Sequence, residues 1–123
     1  MPSHDSARKA FAAWLRERWA TVRDCEQRAC SALYDDRNES AHRDLMKQKA
    51  ALLASLAEDA APFISALSEQ EQEEAQESLD AFSQNAQTAL RLDSVFYMSA
   101  LLYPDNHQKG EPDNLEKFIA SLL

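Results

Sequence analysis

The sequence predicts an all-α protein, an antiparallel up-and-down helical bundle with three long helices and a short C-terminal one. Three observations predict it. Glycine occurs once, at Gly110, and proline four times in 123 residues, too few chain-reversing residues for a sandwich or barrel of short strands. Ala, Leu, Gln, Glu, Arg and Lys dominate the sequence, and all favour helices. Apolar residues recur at three- and four-residue steps over long stretches, the period of a helix with one buried face. With 45% apolar and 28% charged residues, the composition is globular, and the length suits one domain, 1–123, around one core.

The first helix is expected over about 5–34. Ala7, Phe11, Leu15, Val22, Cys25, Ala29 and Leu33 form its apolar stripe, and Trp14 and Trp19 close the edges. Asp36 with Glu39 has capping-box spacing and opens a second helix, 37–61. Its stripe is Leu45, Lys49, Leu52, Leu56 and Ala60, widened by Met46 and Leu53. Pro62 ends or kinks it, because proline lacks the amide hydrogen and clashes with the preceding turn. Ser68 with Glu71 opens the third helix, 69–102, whose acidic first turns suit a helix N-terminus. Ala75, Leu79, Phe82, Ala86, Leu90, Tyr97 and Leu101 form its stripe, broadened by Val95 and Phe96. Tyr103-Pro104 ends this helix, residues 103–112 form a loop, and Asp113 with Glu116 caps a short amphipathic helix over 114–122.

Charge excludes several classes of function. The net charge is −8, and it is unevenly spread: residues 1–50 carry ten Lys/Arg against eight Asp/Glu, and residues 51–123 carry three against thirteen. An acidic surface repels phosphate backbones and anionic lipid, which argues against nucleic acid or membrane as partner. The stretch "MPSHDSARKAFAAWLRERW" has no long apolar run, so it reads as neither a signal peptide nor a membrane span, and the protein is expected in the cytoplasm. Cys25 and Cys30, five apart on a helix, diverge by about 140° and cannot form a disulfide without breaking it. They read as reduced thiols.

The stretch "RNESAH", Arg37–His42, has the pattern Arg, polar residue, three residues, His. It is similar to the short motif of HEPN ribonucleases, which are small all-α proteins. The resemblance implies His42 as acid or base, Arg37 holding the scissile phosphate and Asn38 orienting the pair. Such a site is chemically coherent, since transphosphorylation needs a proton shuttle near neutral pH and a fixed cation. The residues themselves also read as a plain helix start, with Arg37 and His42 on different helix faces, so that a composite site would need two copies. Glu39 and His42 have the Glu-x-x-His spacing of di-iron bundles. Neither His4 nor His107 has a glutamate three residues before it, so no second half of a metal site is present, and no metal or cofactor is expected.

A second resemblance covers residues 45–92. "LMKQKAALLASL" followed by "LDAFSQNAQTALRL" resembles the paired long helices of flagellar export chaperones, which implies holding a protein partner. No nucleophile elbow, phosphate-cradling glycine loop or carboxylate dyad occurs. Asp93, inside "LRLDSVFYMSALL", would need Arg91, Arg43 or a tyrosine hydroxyl as partner if it were buried; the simpler expectation is an edge position with solvent access. The adjacent Phe96 and Tyr97 point about 100° apart, so one small core cannot readily bury both. The reading is a non-enzymatic module that binds another protein or itself through Phe96, Tyr97, Leu101, Phe118 and Ile119. The last helix is expected to dock against the Phe96–Leu101 region.

Overall fold

The computed structural model describes residues 4–123, and among these it is all-helical, without a strand. The single-domain reading began at residue 1; its first three residues lie outside the described ones. α1 spans His4–Tyr34, α2 Glu39–Ala54, α3 Leu56–Asp59, α4 Ala61–Ser65, α5 Glu69–Arg91, α6 Val95–Ala100 and α7 Asn114–Ser121. α1 packs along α2, and α2 along α5; α6 sits across α2 and α5, and α7 lies on α1. The stripe of α1 buries Phe11, Leu15, Val22, Cys25 and Ala29, leaving the tryptophans half-buried at its edges. Most of the core gathers around Phe11, Leu15, Leu53, Leu56, Leu79 and Leu115. A smaller cluster of Ala29, Leu45, Met46, Ala50, Ala89 and Met98 fills the other end.

The expected helix 37–61 is broken, and not at Pro62. α2 ends at Ala54, and the reason lies on α5. The buried Ser83 hydroxyl donates to the Leu53 carbonyl at 3.0 Å and accepts from the Ala57 amide at 3.0 Å. In a continuous helix those two groups would bond to each other, so a side chain has entered the ladder and split it. The neighbouring carbonyls are also taken, Leu52 by Arg18 Nη1 at 2.8 Å and Ala54 by Gln87 Nε2 at 3.3 Å. Pro62 falls in the first turn of α4, where its missing amide hydrogen costs nothing.

The expected helix 69–102 is broken as well. Asp93 takes φ 50, the Asp93 amide bonds Leu90 O at 3.0 Å, and the Ser94 amide bonds Ala89 O at 3.2 Å. These two bonds make a Schellman motif with aspartate in the left-handed position where glycine is usual. Ser94 then caps α6, its hydroxyl accepting from the Tyr97 amide at 3.2 Å. Asp93 itself is exposed and pairs with Arg43 at 3.4 Å and Lys47 at 3.5 Å.

α7 is too short to hold its shape alone. Its capping box forms, Asp113 accepting from the Glu116 amide at 2.8 Å and the Asp113 amide donating to Glu116 at 3.0 Å. Trp19 Nε1 donates to the other Asp113 oxygen at 3.0 Å. Phe118 meets Phe11 and Phe82 edge to face, with ring centroids 6.2 and 6.4 Å apart. The helix therefore docks on α1 and Phe82; of the expected Phe96–Leu101 region, Leu101 packs against the same core while Phe96 stays exposed.

Candidate functional site

The break at Asp93 redirects α6, and that reorientation builds a surface feature. Met98 turns inward and is fully buried, while Phe96 is 75% and Tyr97 53% exposed. Their rings touch edge to face with centroids 5.7 Å apart. Beside them a cleft of about 570 Å³ opens between α5 and α6, lined by Phe82, Asn85, Thr88, Leu92, Tyr97 and Leu101 among others. That volume is in the range of ligand and peptide pockets. Leu92, at 55% exposure, adds a third uncovered apolar group. Of the five residues expected to bind a partner, Phe96, Tyr97 and the half-buried Leu101 belong to this surface. Phe118 and Ile119 do not. Ile119 is buried and Phe118 half-buried in the main core, since α7 needs both to dock. Sequence reasoning missed Asn85, Thr88 and Leu92; the signal was their recurrence at helical spacing along the edge of the buried stripe of α5, next to Phe82 and Ala89.

The Arg37–His42 stretch is split by the structure. Arg37 is exposed, with φ 52, in the connection between α1 and α2. Asn38, not Asp36, caps α2, its side-chain oxygen accepting from the Ala41 amide at 3.0 Å. Asp36 instead sends its amide back to Ser31 O at 3.1 Å, closing α1. Asp36 thus stands two residues before the cap position, which Asn38 occupies. His42 is half-buried, with Nδ1 3.0 Å from the Ala29 carbonyl oxygen. A carbonyl only accepts, so Nδ1 carries the proton there and Nε2 is the free position. A hollow of about 350 Å³ beside His42 is lined by Glu26, Cys30, Tyr34, Lys49 and Ser99 among others, and Arg37 is not among them. Both cysteines are free; Cys25 is buried and Cys30 exposed. No group of three or more His, Cys, Asp or Glu among the described residues is placed to hold a metal ion.

A buried ionic network lies between α1, α2 and the segment after α6, and the sequence reading passed over it. Lys49 is fully buried. Its ammonium pairs with Glu26 Oε2 at 2.9 Å, donates to the Ser99 carbonyl at 3.1 Å, and sits 5.1 Å from the centre of the Tyr103 ring. An ammonium has three donors, and each finds an acceptor or a π-face here. Glu26 Oε1 accepts from Arg23 at 3.0 Å and from the Tyr103 hydroxyl at 3.0 Å, and that hydroxyl accepts from Arg23 at 2.9 Å. Burial pushes the Lys49 pKa down against the opposing pull of Glu26. Burial also raises the Tyr103 pKa, reinforced by its bond to Glu26. The preceding residue, Leu102, has φ 77, a costly backbone for a branched side chain. The network and the Asn114 amide bond to Leu102 O at 2.9 Å hold it there. The signal in the sequence was a lysine in the middle of an apolar stripe, a position that must be paired if it is buried.

No protein-family model matches this chain, and neither a curated protein nor a solved structure matches it. Among the described residues, no helix is long and apolar enough to cross a membrane.

Proposed function

We propose that this protein is a non-enzymatic, cytoplasmic interaction module, an adaptor or chaperone-like factor, that binds another protein through the face made by α5 and α6. The observation that carries the reading is the pair Phe96 and Tyr97, held in the open beside an apolar-walled cleft. Exposed aromatic rings next to a concavity are the usual anchors of a protein interface. The buried ionic network supports the same reading: Lys49 and Tyr103 tie the α6 segment to α1 and α2, which preorganises one wall of the cleft.

The frame for this face is read as a single domain in which α1, α2 and α5 run up, down and up. Cross-helix bonds support it. Ala29 meets His42 and Arg18 meets Leu52, so α1 and α2 pair in opposite senses. Lys47 meets Asp93 and Ala54 meets Gln87, so α2 and α5 do likewise. The test is affinity capture from a native lysate of the source cells with the wild-type chain and with Tyr97→Asp. A protein captured by the first and lost with the second is the expected result. Recovery of RNA or a small molecule with no protein would refute the reading.

A further inference from the structure

We infer that the α5–α6 cleft takes a basic amphipathic helix of another protein, its apolar face over Leu92, Tyr97 and Leu101 and its lysines or arginines over Glu74 and Glu77. The inference rests on the interaction reading above and names the chemistry of the partner. Residues 74, 77, 81, 85, 88 and 92 follow one another at three- and four-residue steps, so they share one face of α5. The second half of that face, with Asn85, Thr88 and Leu92, is the wall of the cleft. The first half continues it with the exposed carboxylates of Glu74 and Glu77.

Among the described residues, no cation neutralises those carboxylates. Among the described residues no ion pair involves Glu73, Glu74 or Glu77; Glu74 receives only the Gln70 amide, at 3.4 Å. The one basic residue of α5, Arg91, is at its far end. There Asp93 is already held by Arg43 and Lys47. The face is therefore graded, acidic at one end and apolar at the other, and a matching ligand must carry positive charge at one end of an apolar stripe. From residue 81 to 92 the wall runs roughly 17 Å along the axis, about three helical turns. An occupant of that length presents side chains at the same three- and four-residue spacing and buries its backbone bonds internally. A second copy of this chain fits less well, because two molecules of net charge −8 repel.

The test uses the full chain and two labelled model peptides of about five helical turns, enough to reach from Leu92 to Glu74, one built from Leu and Lys and the other from Leu and Glu, followed by fluorescence anisotropy. The Leu/Lys peptide is expected to bind, and the Leu/Glu peptide at least about tenfold more weakly. Leu92→Asp, which places a charge in the apolar wall, should weaken the Leu/Lys peptide at least about tenfold. Glu74→Gln with Glu77→Gln should flatten the salt dependence of binding. Thr88→Arg, at a second exposed wall position, replaces Leu92→Asp if that variant melts early. Equal binding of both peptides, or Leu/Lys binding that neither wall variant weakens, overturns the inference. So does sedimentation showing the cleft filled by a second copy. Failure of the peptides beside a captured protein that Tyr97→Asp releases would sink this inference alone and leave the interaction reading standing.

Discussion

Removing either partner of the Glu26–Lys49 pair should destabilise the fold by unequal amounts, and the inequality follows from who remains behind. In Glu26→Gln the side-chain oxygen can still accept from Lys49, but the fully buried ammonium then faces only neutral partners, that amide, Ser99 O and one ring face, with no anion against it. Breaking a buried pair in this way costs about 3–5 kcal/mol, because the stranded charge has been taken out of water. In Lys49→Met a side chain of similar length keeps the packing. Glu26, slightly open to solvent, retains Arg23 and the Tyr103 hydroxyl. The loss is then chiefly one charge-assisted bond and an unpaired Ser99 carbonyl, about 1–3 kcal/mol. The double variant should cost less than the two singles together, with a coupling of about 1–3 kcal/mol. Urea unfolding followed by far-ultraviolet circular dichroism measures all three. The sign with pH is a second check. Burial lowers the folded pKa of Lys49, so the folded state releases that proton earlier than the unfolded state. The Glu26→Gln variant should therefore recover stability as pH rises toward the ordinary lysine value of about 10.4. A Lys49→Met cost equal to or above that of Glu26→Gln, or strict additivity, would refute the argument.

Asn38→Ala should lower stability by about 1 kcal/mol as a lost N-cap, and Asp36→Ala by much less; thermal melts of both decide it. Ser83→Ala leaves the Leu53 carbonyl and Ala57 amide without their bridge and should cost about 1–3 kcal/mol in urea unfolding. Truncation after Pro112 removes α7 and uncovers Phe11 and Phe82; a lower melting temperature and new binding of a hydrophobic dye are expected, and an unchanged melt would show α7 contributes no docking energy. Tyr103 and Cys25 both have folded pKa values raised, first by burial. Their stabilisation is complete below the unfolded values of about 10 and about 8.5 and is lost as pH climbs past them toward the folded ones. Tyr103→Phe should flatten that alkaline decline in a series of melts.

Local signals carried much of the fold. The period of Phe11, Leu15, Val22 and Cys25 marks the buried face of α1, and Ser68 and Asp113 cap α5 and α7 from within a few residues of themselves. Each depends on neighbours within one helical turn, so each is written in the sequence. The exposed Phe96 and Tyr97 were legible for a related reason: two large rings set about 100° apart on a helix cannot both face one core.

Tertiary structure alone decided where the helices stop and what the surface offers. Ser83 splits the 37–61 helix from about thirty residues away, a distance at which no periodicity or cap can register its hydroxyl. Asp93 ends α5 in a left-handed turn that aspartate tolerates but does not announce. Lys49 stands in an apolar stripe, and the residues that make this bearable, Glu26 on α1 and Ser99 and Tyr103 at the end of α6, come from two other places in the chain. Composition, helical period and caps determine that this chain is helical and which faces are apolar. Hydrogen bonds between residues distant in sequence decide how the long stripes are cut, and the cut after Arg91 is what turns part of a core stripe into the wall of an open cleft.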